Sequence, residues 1–215
     1  MDGGLVGGEL MGSGLMGAQA GKATSGNLAS EPFDVLLIDG RSGSGKTQAA
    51  RSVAKQWSRS GVEAQLFAVE SLYPGWDGLA EGSAALAAVL RGGSYRPYNW
   101  IAGQFGDRVS LERGVPLIIE GCGALTRENL AAAEEWAERA LGGARRAVVR
   151  SIWLDCPADL RRERALARDG DTYAPHWERW AAQEDALYSR HRPWELADQV
   201  ERESTHRGTE TNSHP

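Results

Sequence analysis

The chain has 215 residues, of which 41% are hydrophobic and 25% charged, with a net charge of −5. That length suffices for one domain with a real core, and the acidic balance excludes a general nucleic-acid binder, whose surface has to be basic. No apolar run approaches the ~18 residues of a membrane span, so the sequence does not read as a helical membrane protein.

Residues 1–30 are rich in Gly, Ser and Ala and carry no helix or strand period, which predicts a disordered segment. The opening Met1-Asp2-Gly3-Gly4 has no basic region, and glycines break each apolar stretch. No secretory leader is expected, and the reading is cytoplasmic. Val35 to Ile38 is a short apolar run, suited to a strand buried on both faces. A helical stripe follows at Ala50, Val53, Ala54 and Trp57 and stops at Gly61. Further strands are predicted at 64–69 and 115–120. A helix is predicted over 126–141, with Leu130, Ala133, Trp136, Ala137 and Ala140 on one face.

A fourth strand is expected at 148–154. Pro157 suits the first turn of a helix reaching about Arg168, and Pro175 opens another, with Trp177, Trp180, Ala181, Leu187 and Tyr188 on its stripe. A short last strand falls at 197–201, and residues 204–215 read as a second disordered tail. Strands alternating with helices predict an α/β fold of three layers around a parallel sheet of about five strands, spanning 31–203. In such sheets ligands bind beyond the carboxyl ends of the strands.

At the end of the first strand stands Gly40-Arg41-Ser42-Gly43-Ser44-Gly45-Lys46-Thr47, a G-x-x-x-x-G-K-[ST] phosphate loop between a strand and a helix. Glycines let backbone N–H groups turn inward and form an anion nest. The helix N-terminus adds its positive dipole end. Lys46 supplies a compact charge to the terminal phosphates, and Thr47 supplies a hydroxyl to Mg²⁺. The chain uses arginine almost everywhere for its cations; its only lysines are Lys22, Lys46 and Lys55. A lysine placed here is therefore informative. The expected ligands are ATP and Mg²⁺. No Asn-Lys-x-Asp guanine-reading motif is present, which argues against an ordinary GTPase.

Beyond the loop, the chain resembles the small P-loop nucleoside and nucleotide kinases, and most of all the uridine kinase-like ATP-binding proteins. The likeness rests on Val69-Glu70-Ser71-Leu72-Tyr73-Pro74, on Leu117-Ile118-Ile119-Glu120-Gly121, on Ile152-Trp153-Leu154-Asp155 with the arginines after it, and on Leu196-Ala197-Asp198-Gln199-Val200. Tyr73-Pro74-Gly75-Trp76-Asp77-Gly78-Leu79 also looks like a motif of a bacterial uridine kinase-like subgroup. The resemblance implies γ-phosphoryl transfer to a small acceptor, a nucleoside or nucleotide. It places Glu70 at the acid that activates the acceptor hydroxyl, and makes 161–192 a lid carrying Arg161, Arg162, Arg164 and Arg168. Two features depart from the family: its acid is usually Asp, and Tyr95-Arg96-Pro97-Tyr98-Asn99-Trp100 stands where its substrate segment would be.

These readings assign Lys46, Glu70 and Arg168 to catalysis, and Thr47 and Glu120 to magnesium. Residues 40–47 and Arg164 go to the nucleotide, and Glu70, Tyr73, Asp77, Arg96 and Trp100 to the acceptor. Asp77 is the alternative base. Asp39 either joins the metal site or supports the loop backbone. Trp76 is a stacking candidate, Trp177 and Trp180 read first as core, and Glu184 reads first as a boundary residue on its helix stripe. Cys122 and Cys156 lack CxxC spacing and read as free thiols of a reducing cytosol, neither disulfide nor zinc ligands. The competing functions are a kinase for another small metabolite and a nucleotide-sensing protein without transferase activity. Neither a nucleic-acid polymer nor a membrane is expected as partner, and the oligomeric state stays open.

Overall fold

The computed structural model describes residues 32–203. The two segments read as disordered, 1–30 and 204–215, lie outside them. In chain order the elements are β1 (Val35–Gly40), α1 (Lys46–Arg59), β2 (Gln65–Ala68), α2 (Leu79–Gly92), β3 (Ser94–Tyr95), β4 (Tyr98–Asn99), β5 (Gln104–Phe105) and β6 (Val109–Ser110). They continue with β7 (Leu117–Glu120), α3 (Arg127–Leu141), β8 (Val149–Asp155), α4 (Ala158–Tyr173), α5 (Trp177–His191), α6 (Pro193–Leu196) and β9 (Gln199–Arg202).

The main sheet has five strands in the order β2-β7-β1-β8-β9, and every pairing in it is parallel. β1 is its centre and is buried along its whole length. The strand's two-residue period divides the core. Leu36 and Ile38 join Ala50 and Val53 of α1, with Ile152 and Leu154, on one face. Val35 and Leu37 join the cluster under α2, α3 and α5 on the other. Each fully buried leucine or isoleucine contributes about 1.5–3 kcal/mol relative to exposure. The three-layer α/β arrangement of the sequence reading is therefore the arrangement found.

Three elements differ from that reading. The second strand, expected over 64–69, ends at Ala68, and Val69–Leu72 forms a 3₁₀ turn that carries Glu70 just past the strand end. The sequence reading gave no helix between 69 and 115, where α2 stands with Leu79, Leu86 and Leu90 wholly buried. Gly82 interrupts its apolar pattern for a tertiary reason: a Cβ there would lie 2.4 Å from the Tyr73 ring and 3.0 Å from the Leu72 carbonyl. The stretch 94–110 is a two-step antiparallel ribbon, β3 with β6 and β4 with β5, rather than an open substrate segment. Among the described residues no helix is long and apolar enough to cross a membrane.

Candidate functional site

The loop between β1 and α1 is held from below by two buried carboxylates. Asp39 accepts from Gly40 N at 2.6 Å, Gly123 N at 3.1 Å, Leu125 N at 2.8 Å and the Tyr188 hydroxyl at 2.9 Å. Of its two readings, support of loop backbone is what it does. Burial nonetheless pushes its carboxyl up to about 6, against the pull of those donors and of Lys46.

Glu184 is the second carboxylate. It lies on α5, 142 residues along the chain from Ser42, whose N–H it accepts at 2.7 Å. It also accepts from Trp180 Nε1 at 3.2 Å and Cys122 Sγ at 3.4 Å, and sits 3.7 Å from Arg41 and 4.0 Å from Arg161. At 1% exposure it is no boundary residue, as first read from its helix stripe, but the centre of a polar network. Arg161 closes that network from α4, donating to the Cys156 carbonyl at 3.0 Å and the Ser42 carbonyl at 3.2 Å. Its lid role is thus replaced by a structural one. Gly43, at φ +80°, packs so closely here that a Cβ would fall 2.1 Å from the Arg161 carbonyl oxygen. Glu184→Ala strands several buried donors and leaves the buried Arg161 guanidinium without a carboxylate, so it should lower the unfolding free energy by about 3–5 kcal/mol. Urea denaturation measures this, and a loss below about 1 kcal/mol would show that the network re-pairs.

Inside the loop, Lys46 Nζ donates to the Arg41 carbonyl at 3.0 Å. Burial draws the Lys46 ammonium down, but the field of Cys122, Glu120, Glu184 and Asp39 outweighs it and the net displacement is upward. Thr47 Oγ1 donates to Glu120 Oε1 at 3.0 Å, which brings together the two residues assigned to magnesium. A hydroxyl and a carboxylate are hard oxygen donors. Mg²⁺ typically takes one or two such ligands beside phosphates and keeps water on the rest, so this donor set fits. The loop fits a phosphate chain equally. Among the described residues Ser44 Oγ is buried without a partner, and the Lys46 ammonium donates to the Arg41 carbonyl oxygen.

A cavity of about 100 Å³ opens above Lys46 and Thr47. Glu70, Arg168 and Asp169 line it together with the loop, and Tyr73, Trp76, Trp100, Tyr173 and Trp180 add aromatic rings to its lining. Trp76 stacks on Tyr173 and His176 with centroids 5.3 and 4.3 Å apart, and meets Trp100 edge-on at 5.0 Å. The indole N–H of Trp100 is buried without a partner. Burial raises the Glu70 carboxyl, partly offset by Arg168. Arg168 itself pairs with its neighbour Asp169 at 2.6 Å. Gly170 breaks the helix just beyond, at φ 51° and ψ −132°.

Several assigned residues lie elsewhere. Asp77 pairs with Arg179 on the surface and does not line the cavity, which removes it as the alternative base. Arg96 donates to the Gly106 carbonyl at 2.7 Å and braces the ribbon instead of meeting an acceptor. Arg164 forms a two-pronged pair with Glu203 at 2.6 and 2.7 Å and also lies outside the cavity lining. The Arg41 side chain turns outward to Asp185 at 2.6 Å. Tyr73 does line the cavity, with its hydroxyl fixed on the Cys122 carbonyl at 2.6 Å. Trp180 is both core and cavity wall. Asp169, Tyr173 and Cys122 were not picked out by sequence reasoning, and only the proximity of Asp169 to Arg168 signalled one of them.

Asp39 gives a pH signature. The folded chain holds the Asp39 proton up to about pH 6, whereas an unfolded chain releases it near the ordinary value of 3.8. The stability this site provides is therefore complete below that ordinary value and lost as pH rises through the folded one. Wild type should gain on Asp39→Asn by on the order of 2–3 kcal/mol between pH 7 and pH 4. Paired denaturation curves across that range check it, and a gap that narrows on acidification refutes it.

No protein-family model and no curated protein sequence matches the chain. Among solved structures it is similar to one described as a possible uridine kinase from Bacillus stearothermophilus, at 19% identity and a TM-score of 0.49, over 79% of this chain and 89% of that one. A sugar kinase from Janibacter sp. HTCC2649 is similar at 19% identity and a TM-score of 0.40, over 73% and 78%. The APS kinase of Mycobacterium tuberculosis, solved with AMPPNP and APS, is similar at 16% identity and a TM-score of 0.38, over 78% of each chain.

Proposed function

We propose that the chain is a phosphotransferase that uses ATP and Mg²⁺ to phosphorylate a small acceptor, with a nucleoside or nucleotide as the acceptor class. One observation carries this reading. Lys46, Thr47 and Glu120 line one small aromatic-walled cavity together with Glu70 and Arg168. An aromatic-walled space beside an acid suits a small acceptor better than mechanical work.

The roles follow from the positions. Lys46 and the loop N–H groups hold the phosphates, and Thr47 and Glu120 offer the metal its protein oxygens. Mg²⁺, when bound, neutralises charge on the phosphate chain. The acceptor oxygen bonds to the γ-phosphorus while the bond to the β–γ bridging oxygen breaks, releasing ADP. Glu70, with its raised carboxyl, takes the acceptor proton. Arg168 meets charge on the transferred group. The aromatic walls and the free Trp100 N–H suit a flat base with a carbonyl acceptor. Both cysteines are free thiols, in keeping with a reducing cytoplasm.

A panel of nucleosides, nucleotides, sugars and cofactor precursors, each with MgATP and a γ-labelled phosphoryl group, tests the reading. Label should move to a nucleoside or nucleotide. Transfer only to a sugar or cofactor precursor would replace the acceptor class. ATP binding with no acceptor-dependent ADP release would make the chain a nucleotide sensor.

A further inference from the structure

The helix α4 is not straight. Gly170 interrupts it near its end, at φ 51° and ψ −132°. L side chains rarely adopt such a backbone, and glycine adopts it freely. Packing gives no other reason for a glycine here, because a Cβ would meet no surrounding heavy atom within 4 Å. The residue is required for its dihedral angles alone.

The kink joins two stretches that are anchored separately. Before it, Arg161 donates to the Ser42 carbonyl of the phosphate loop, and Arg164 pairs with Glu203. After it, Tyr173 and His176 stack on Trp76, whose carbonyl accepts from Gln183 Nε2 at 2.7 Å. Arg168 and Asp169, just before the kink, line the cavity above Lys46, and Tyr173, just after it, lines the same cavity. A straight helix works against that arrangement. At about 100° per residue, the steps from Arg168 to Tyr173 would turn the tyrosine about 140° round the axis from the arginine. The kink brings both into one lining.

We propose that Gly170 is a positioning residue for phosphoryl transfer, whose kink holds Arg168 in the cavity that Tyr173 and Trp76 also line. An L side chain at 170 drives the backbone toward helix, and one of the two stretches then has to shift. Arg168 gives way first. The arginines before it are tied to the loop and to Glu203, and the rings after it are stacked on Trp76, whereas Arg168 is paired with its own neighbour Asp169, which moves with it. The proposal rests on the reading of Arg168 as the residue that meets charge on the transferred group.

The test compares Gly170→Ala with a chain carrying D-alanine at position 170. A D residue favours dihedral angles of reversed sign, so it fits the kink that the L residue strains. Ligation at Cys156 of residues 1–155, as a thioester, to a synthetic 156–215 peptide gives the full chain, and a glycine chain made the same way is the reference. With MgATP, and uridine as the probe acceptor, Gly170→Ala should lower kcat about 10²-fold and leave MgATP affinity within about two-fold. The D-alanine chain should recover kcat to within about three-fold of the reference. On an Arg168→Ala background, Gly170→Ala should cost less than about three-fold more, since little is left for it to act through. A second readout needs no acceptor. The Arg168 charge pulls the Glu70 carboxyl down, so carbon-13 NMR should find Glu70 titrating higher in Gly170→Ala, as in Arg168→Ala, and unmoved in the D-alanine chain.

Equal kcat in the L- and D-alanine chains overturns the proposal, and so does a full additional loss on the Arg168→Ala background. An inactive D-alanine chain overturns it too, which keeps the test decisive where the L-alanine chain does not fold. Unchanged kcat in Arg168→Ala means that the reading of Arg168 has failed. A Glu70 titration unmoved by Gly170→Ala means that the placement has failed instead. Where the reference transfers nothing to uridine, the acceptor reading falls, and the Glu70 titration alone decides the placement.

Discussion

Lys46→Ala should weaken MgATP binding by about 3 kcal/mol, or 10²-fold. Two effects add. The variant loses the cation aimed at the terminal phosphates. It also uncovers a ring of acids, because Glu120, Glu184 and Asp39 all act on the Lys46 charge. Without it their field falls on any incoming polyanion. Lys46→Met keeps the stem's packing and separates loss of charge from loss of volume. Equilibrium titration with MgATP, alongside thermal unfolding, measures both. Unchanged affinity in a folded variant would remove the loop as the nucleotide site.

Arg168→Ala should lower kcat about 10³-fold while ATP affinity stays near wild type, because an arginine meeting transferred charge acts in the transition state rather than the ground state. The position supports this split. Arg168 lines the cavity with Glu70, on whose carboxyl its charge acts, and is held by Asp169 rather than by any loop atom. Arg168→Lys should recover part of the rate, since it keeps the charge and loses the two-pronged geometry. A change confined to KM would make Arg168 a binding residue, and no change at all would remove it from the site. Arg161→Ala is the contrast. It should fail through stability, because Arg161 is 8% exposed and bonded to the loop's Ser42 carbonyl and to the Cys156 carbonyl.

The central strand and the loop were legible because their signals are local. Four consecutive apolar residues at 35–38 require burial on both faces, and the glycine spacing at 40–47 has few uses besides a phosphate nest. The helix over 79–92 was hidden because glycines and alanines fill positions where neighbouring elements press close, so Gly82 reads as a break when it is a fit to Tyr73. The ribbon strands at 94–110 are two residues each, too short to carry a period. Glu184 was the largest miss. Nothing within its own helix distinguishes a carboxylate aimed at solvent from one aimed at a loop on the far side of the fold. Among the arginines, the lid reading grouped 161, 164 and 168, but the structure gives each a different partner: the loop carbonyl of Ser42, Glu203 just past β9, and Asp169 beside the cavity.

The Ser42 N–H is already committed to a carboxylate, and the loop beneath it is pinned by Asp39 and by the Gly43–Arg161 contact. The nest therefore stands in its working shape before any phosphate arrives, with a protein carboxylate filling one of its anion positions. A site built that way loses little conformational freedom on loading, so the binding heat should come from charge and hydrogen bonding rather than from folding. Amide hydrogens of 40–45 should then exchange slowly in the free protein and slow only slightly further when nucleotide binds, the opposite of a loop that orders around its ligand.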